Sequence, residues 1–167
     1  MTARTILAAT LLLAASGSAH ADATVLRMQS LGFDAALKAA TTALKECQKR
    51  GAMVAVAVTD RAGLPLVVLR DPLAGMHTPD TATRKAWTAI SFRAPTTTLE
   101  RATAASAESS GIRHLPGVAM IGGGILVEAA GSLIGAIGIS GAPNGALDET
   151  CAKAGLAAIR DDIELGN

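Results

Sequence analysis

Between Phe33 and Arg50 the apolar positions Ala36, Leu37, Ala40, Leu44 and Cys47 recur at helical spacing, with Lys38, Lys45, Lys49 and Arg50 elsewhere and Gly51 as a stop. This predicts a first helix. Residues 53–60, MVAVAVTD, are apolar on both alternating faces; RAG supplies a turn and LPLVVLRD a return strand, which together predict an antiparallel hairpin. Pro65 has no amide hydrogen for the ladder and belongs at a strand start or on an edge. After a loop dense in Pro and Gly, Thr81 to Phe92 presents Ala82, Ala86, Ala89 and Ile90 at helical spacing, with Arg84 and Lys85 on or beside that stripe. Thr97 and Glu100 have capping-box spacing for a further helix to about Ser109, and residues 111–117 read as irregular.

Residues 117–141, GVAMIGGGILVEAAGSLIGAIGISG, hold eight glycines and two apolar runs split by EAAGS, which predicts a second hairpin. The order of elements is then helix, two strands, two helices, two strands and a last helix capped by Asn144 or Asp148. With the strands in hairpins and the helices clustered between them, the fold class is α+β with a mainly antiparallel sheet. The glycines do not spell a phosphate site. Neither G-x-G-x-x-G between a strand and a helix nor G-x-x-x-x-G-K-[ST] occurs. Gly135, Gly138 and Gly141 are three apart, so along a strand they alternate faces, and close packing by a helix or a second subunit explains them better than a ligand does.

Composition changes the picture at the N-terminus. Residues 1–21 carry Arg4, an apolar stretch from Ile6 to Ala15 and small residues at Ala19 and Ala21, the pattern of a secretory signal peptide. The stretch is too short to span a bilayer, which takes about 20 apolar residues. Residues 22–167 are then expected to form a single domain, periplasmic or secreted, with no membrane span. Cleavage takes the formal charge from +1 to zero, so neither nucleic acid nor an anionic membrane is an indicated partner. Aromatics are confined to Phe33, Trp87 and Phe92, which leaves a core of Ala, Val, Leu and Ile. Cys47 and Cys151 are either a disulfide, as an oxidising compartment favours, or two buried thiols; sequence separation does not decide between them.

Candidate chemistry is sparse. Beyond the signal segment there are two histidines, His77 and His114, and no Cys-x-x-Cys or His-x-x-x-His spacing, which excludes a histidine-rich zinc site. One histidine suffices as an axial ligand to haem iron. His77 stands beside Met76 and ahead of Arg84 and Lys85, cations suited to the carboxylates of a ligand such as haem propionates; the alternative is a surface-loop histidine beside solvated helix cations. His114, next to Arg113 and before the glycine-rich run, is the second candidate. Ser106, Ser109, Ser110 and Ser140 lack a nucleophile elbow or a triad pattern.

Several of these segments resemble a known family: VAVAVTDRAGLPLVVLRD, TRKAWTAISF with Pro95 and Thr96 following, and IGGGILVEAAGSLIGAIGISGAPNGALDETCAKAG. Together they are similar to the GlcG/HbpS family of haem-binding domains, whose pattern they follow in order across almost the whole chain after residue 21. The resemblance implies a profilin-like domain, an antiparallel sheet flanked by helices, that assembles into homo-oligomers and takes haem or a related tetrapyrrole. It matches Asp60 and Gly63 to the hairpin, Lys85 and Thr88 to the helix, Gly122 and Gly123 to a strand start, and Asp148 to the last helix cap. The expectation is a periplasmic haem-binding or haem-sequestering protein with His77 on the iron and Met76, Arg84, Lys85, His114, Gly122 and Gly123 about the ligand. The alternative is an enzyme or accessory subunit acting on an organic acid or other small metabolite, with Asp60, Lys85 and the glycine-rich strand lining its pocket. A purely structural or partner-binding subunit is the third.

Overall fold

The computed structural model describes residues 25–165, so the signal peptide expected at residues 1–21 lies outside the described residues. The elements in chain order are α1 (Phe33–Lys49), β1 (Ala55–Thr59), β2 (Pro65–Arg70), α2 (Thr78–Phe92), α3 (Thr96–Ala102), a 3-10 segment (Glu108–His114), β3 (Gly124–Ala129), β4 (Ser132–Ser140) and α4 (Gly145–Leu165). The four strands form one antiparallel sheet in the order β2-β1-β4-β3, as the α+β expectation required. Pro65 opens the edge strand β2, where its missing amide hydrogen costs no central ladder bond. Among the described residues no helix is long and apolar enough to cross a membrane.

Alternation within the strands sorts side chains by size. Val54, Val56 and Val58, with Ile125, Val127, Ile137 and Ile139, bury against Ala36, Ala39, Ala40 and Ala43 of α1 and Ala152 and Ile159 of α4. The intervening residues are small: Ala55 and Ala57 meet Ala82 of α2, and Ala136 meets Ala86 and Ala89. The result is three layers, with α1 and α4 on one face of the sheet and α2 on the other. Cys47 and Cys151 sit on the α1 and α4 side, both fully buried, and form a disulfide across a Cα separation of 5.5 Å. Pairing there follows from two helices packed on one sheet face, which brings together residues 104 apart in sequence.

Two strand glycines of the run pack against the backbone of α2. A Cβ at Gly138 would fall 2.0 Å from the Ala82 carbonyl oxygen, and one at Gly124 would fall 2.4 Å from that of Lys85. Backbone of strand and backbone of helix are in contact there, which only glycine permits. The last helix meets the run at Gly122 and Gly123: a Cβ on Gly145 would lie 2.7 Å from the Gly122 Cα, and Asp148 of α4 packs against Gly123. The expectation of packing by a helix therefore holds at Gly124 and Gly138, which meet α2, and at Gly122, which meets α4, while Gly135 lies against the Thr59 carbonyl and Leu31.

Four local expectations are corrected. The capping box at Thr97 and Glu100 does not form, because Pro95 holds the N-cap position and tertiary partners take both side chains. Thr97 donates its hydroxyl hydrogen to Glu149, and Glu100 accepts from the Gly122 amide at 3.0 Å. The helix expected to reach Ser109 stops at Ala102, where the Arg113 guanidinium donates to the carbonyls of Thr103 and Glu100 and so satisfies the end of the helix. Residues 108–114 coil into the 3-10 segment instead of running irregularly. Strand β3 starts at Gly124, later than the apolar run suggests. The preceding segment is pinned by side chains, with the Ala119 amide donating to Thr88 Oγ1 and the Gly124 amide to Thr96 Oγ1, both at 2.8 Å.

Candidate functional site

The close approach of α2 to the sheet carries Lys85 inward. Gly123 and Gly124 leave the space: a Cβ on Gly123 would lie 3.1 Å from Lys85 Nζ and 2.6 Å from the Asp148 Cβ. Lys85 Nζ donates to Asp148 Oδ2 at 2.8 Å, and each side chain is only 3% exposed. Asp148 Oδ1 accepts from the Ala142 amide at 3.1 Å. Burial pushes the Asp148 carboxyl above its ordinary pKa, and the Lys85 charge and hydrogen bond pull it part of the way back. Asp148 is thus an ion-pair partner inside α4 and not its cap; Asn144 is the cap, its Oδ1 accepting from the Leu147 amide at 2.9 Å.

The pair forms one wall of a cleft of about 440 Å³ between the start of α2 and the start of α4. His77, Thr78 and Thr81 line one side, the turn at residues 141–145 the other, Ile121 the rim and Ser140 the floor at the end of β4. His77, Thr81 and Arg84 follow at spacings of four and three, so they share one face at the start of α2. Thr81 donates its hydroxyl hydrogen to the His77 carbonyl at 3.0 Å. A second, shallower depression of about 340 Å³ adjoins the first across Thr81 and Ile121 and is lined by Asp80, Arg84, Arg113 and residues 118–120. Arg84 pairs with Asp80 at 2.8 Å in the open.

The residues singled out in the sequence separate into groups. His77 and Lys85 line the same cleft, with Met76, 96% exposed, next to His77. Arg84 belongs to the adjoining depression. His114 is exposed at the end of the 3-10 segment and lines neither cavity. Gly122 and Gly123 are buried behind the cleft, where they make room for Gly145 and for the ion pair. Asp60 does not join Lys85. Its carboxylate accepts from the amides of Ala62 and Leu64 in the hairpin turn, at the far end of β1 from the register pair of Ala55 and Ser140. Asp148 and Ser140 were visible in the sequence only as a cap and an unremarkable serine. Their roles depend on α4 and β4 meeting α2, for which no local pattern is a signal. Among the described residues no group of three or more His, Cys, Asp and Glu side chains is placed to hold a metal ion.

The result is a three-layer α+β domain with a polar, ion-paired cleft between two helix starts. The family described as haem degrading protein HbpS-like matches residues 31–157, and the chain belongs to that family. Its fold is also that of solved relatives. A double mutant of HbpS from Streptomyces reticuli is 38% identical with a TM-score of 0.76, covering 92% of this chain and 99% of that one. A PduOC–heme complex is 32% identical with a TM-score of 0.73, covering 78% and 95%. The Klebsiella pneumoniae protein ORFY is 26% identical with a TM-score of 0.77, covering 81% and 94%. No curated protein gives a significant match.

Proposed function

We propose that this chain binds haem across the cleft and the depression beside it, with His77 as the iron ligand. The observation that carries this reading is the juxtaposition of an exposed imidazole, an apolar ridge at Ile121 and the Arg84 cation on one continuous surface. The residues present fit the group. A Cβ at Gly75 would lie 2.8 Å from His77 Cε1 and 3.0 Å from Nδ1, so that edge of the ring rests against Gly75 and Nε2 is the freer nitrogen. Met76 and Ile121 offer apolar contact, and Arg84 offers a fork for a carboxylate once released from Asp80. Lys85 is already matched to Asp148 and acts from within the wall. When bound, haem supplies a redox-active iron; the chain supplies an imidazole, a guanidinium and partial shelter from water. Membership of a haem-degrading family and a relative in complex with heme support the reading.

The same proposal places the protein outside the cytoplasm as a homo-oligomer. The buried disulfide supports an oxidising compartment. Exposed Leu64, Val68 and Leu73 on and beside the edge strand β2 support self-association. Titration of the purified protein with hemin tests the ligand assignment. A Soret shift that His77→Ala abolishes and His114→Ala leaves intact is expected; no shift in the wild type, or one indifferent to His77→Ala, would overturn it. Light scattering on the eluting peak reads the oligomeric state.

A further inference from the structure

The haem reading uses the rim of the cleft and leaves its floor without a task. Three sets of donors meet there. Lys85 has three N–H groups and gives one to Asp148. Ser140 is 95% buried as a residue, but its hydroxyl opens to the cleft that it lines and makes no hydrogen bond to another described residue. That hydroxyl is free to donate to an acceptor in the cleft. The third set is the start of α4, a 21-residue helix: Asn144 satisfies the Leu147 amide, while that of Gly145, which lines the cleft, precedes the first intrahelical bonds. The positive end of the helix dipole therefore faces the same space as the ammonium.

The charge count selects the ligand. Lys85 and Asp148 cancel, and both Asp148 oxygens are engaged, by Lys85 and by the Ala142 amide. What remains is donor-rich, partly positive and closed on the sheet side. We propose that this floor is a carboxylate subsite, in which Lys85, Ser140 and the Gly145 amide at the start of α4 hold the carboxylate of either a free small organic acid or a haem propionate. The free-acid form stands independently of haem binding; the propionate form rests on it.

The test uses the full folded protein and the probes acetate and lactate, each beside its neutral amide, acetamide and lactamide. Ligand-observed NMR is expected to show binding of the carboxylates and none of the amides, with affinity falling about tenfold in Ser140→Ala, as loss of a hydrogen bond to a charged group implies. Ser140→Ala removes only the hydroxyl and keeps the ion pair, so its folding is not at risk as that of a Lys85 variant is. In parallel, hemin is compared with hemin dimethyl ester. If the propionate is the source, the ester binds more weakly than hemin in the wild type, the gap closes in Ser140→Ala, and free carboxylates compete with hemin. If a free acid is the source, carboxylates bind without that competition. Equal behaviour of acids and amides together with equal binding of hemin and its ester would overturn the subsite, as would affinities untouched by Ser140→Ala. Carboxylate binding without any Soret shift would sink the haem reading and leave the subsite standing.

Discussion

The two faces of the sheet are built from the same strands and do different work. Toward α1 and α4 the strands present Val and Ile, the helices answer with Ala, and a buried disulfide ties them; this face is apolar. Toward α2 the same strands present Ala and Gly, the helix backbone touches the strand backbone, and the space released holds a charged pair beside a cleft. Large side chains hold layers apart at the usual spacing and fill the gap with hydrocarbon. Small ones let the layers close, so a long polar side chain such as Lys85 reaches through the helix flank to a partner on another element. One face supplies stability without chemistry, and the other gives up apolar volume for a polar site.

Substitutions at the two faces should differ in cost. Lys85→Met has the largest expected effect, because it leaves the Asp148 carboxylate buried without its cation; a loss of about 3–5 kcal/mol in denaturant unfolding is expected. Combining it with Asp148→Leu should recover much of that loss. If the double variant is no better than the single one, the cost lies in packing and not in the stranded charge. On the other face, replacing Cys47 and Cys151 with Ala should lower stability by about 2–4 kcal/mol, chiefly by freeing the unfolded chain, while circular dichroism of the folded state stays unchanged. A helical spectrum altered in the native protein would show that the bridge also shapes the packing of α1 on α4. Gly138→Ala comes last at about 1–3 kcal/mol, since the Ala82 carbonyl oxygen must retreat from the new methyl. Gly111→Ala, with nothing within 4 Å of the added atom, is the control and should be nearly silent.

Much of the fold was legible along the chain. The helical stripe of Ala36, Ala40, Leu44 and Cys47, the alternation of Val and Ala in β1 and the turn signals around Gly63 and Gly131 are local patterns, and each element formed where its pattern lay. Failures came where a side chain had a better partner far away. Thr97 and Glu100 have the spacing of a local cap, but Glu149 and the Gly122 amide claim them instead. Of the candidate site, His77 and Lys85 were visible as residue types, and the cleft brings both together. Asp148 lies 63 positions from Lys85, and nothing in the intervening sequence announces the pairing.

The order of the main helices and strands, the antiparallel class and the family could be read along the chain, because hydrophobic period, turn chemistry and the motif series are properties of neighbours in sequence. Tertiary structure decided which helix takes the glycine face, that Cys47 meets Cys151, that Asp60 belongs to a turn, and that Lys85, Asp148 and Ser140 share one cleft. Those outcomes depend on distances between elements, set by how closely layers can pack once every side chain is in place.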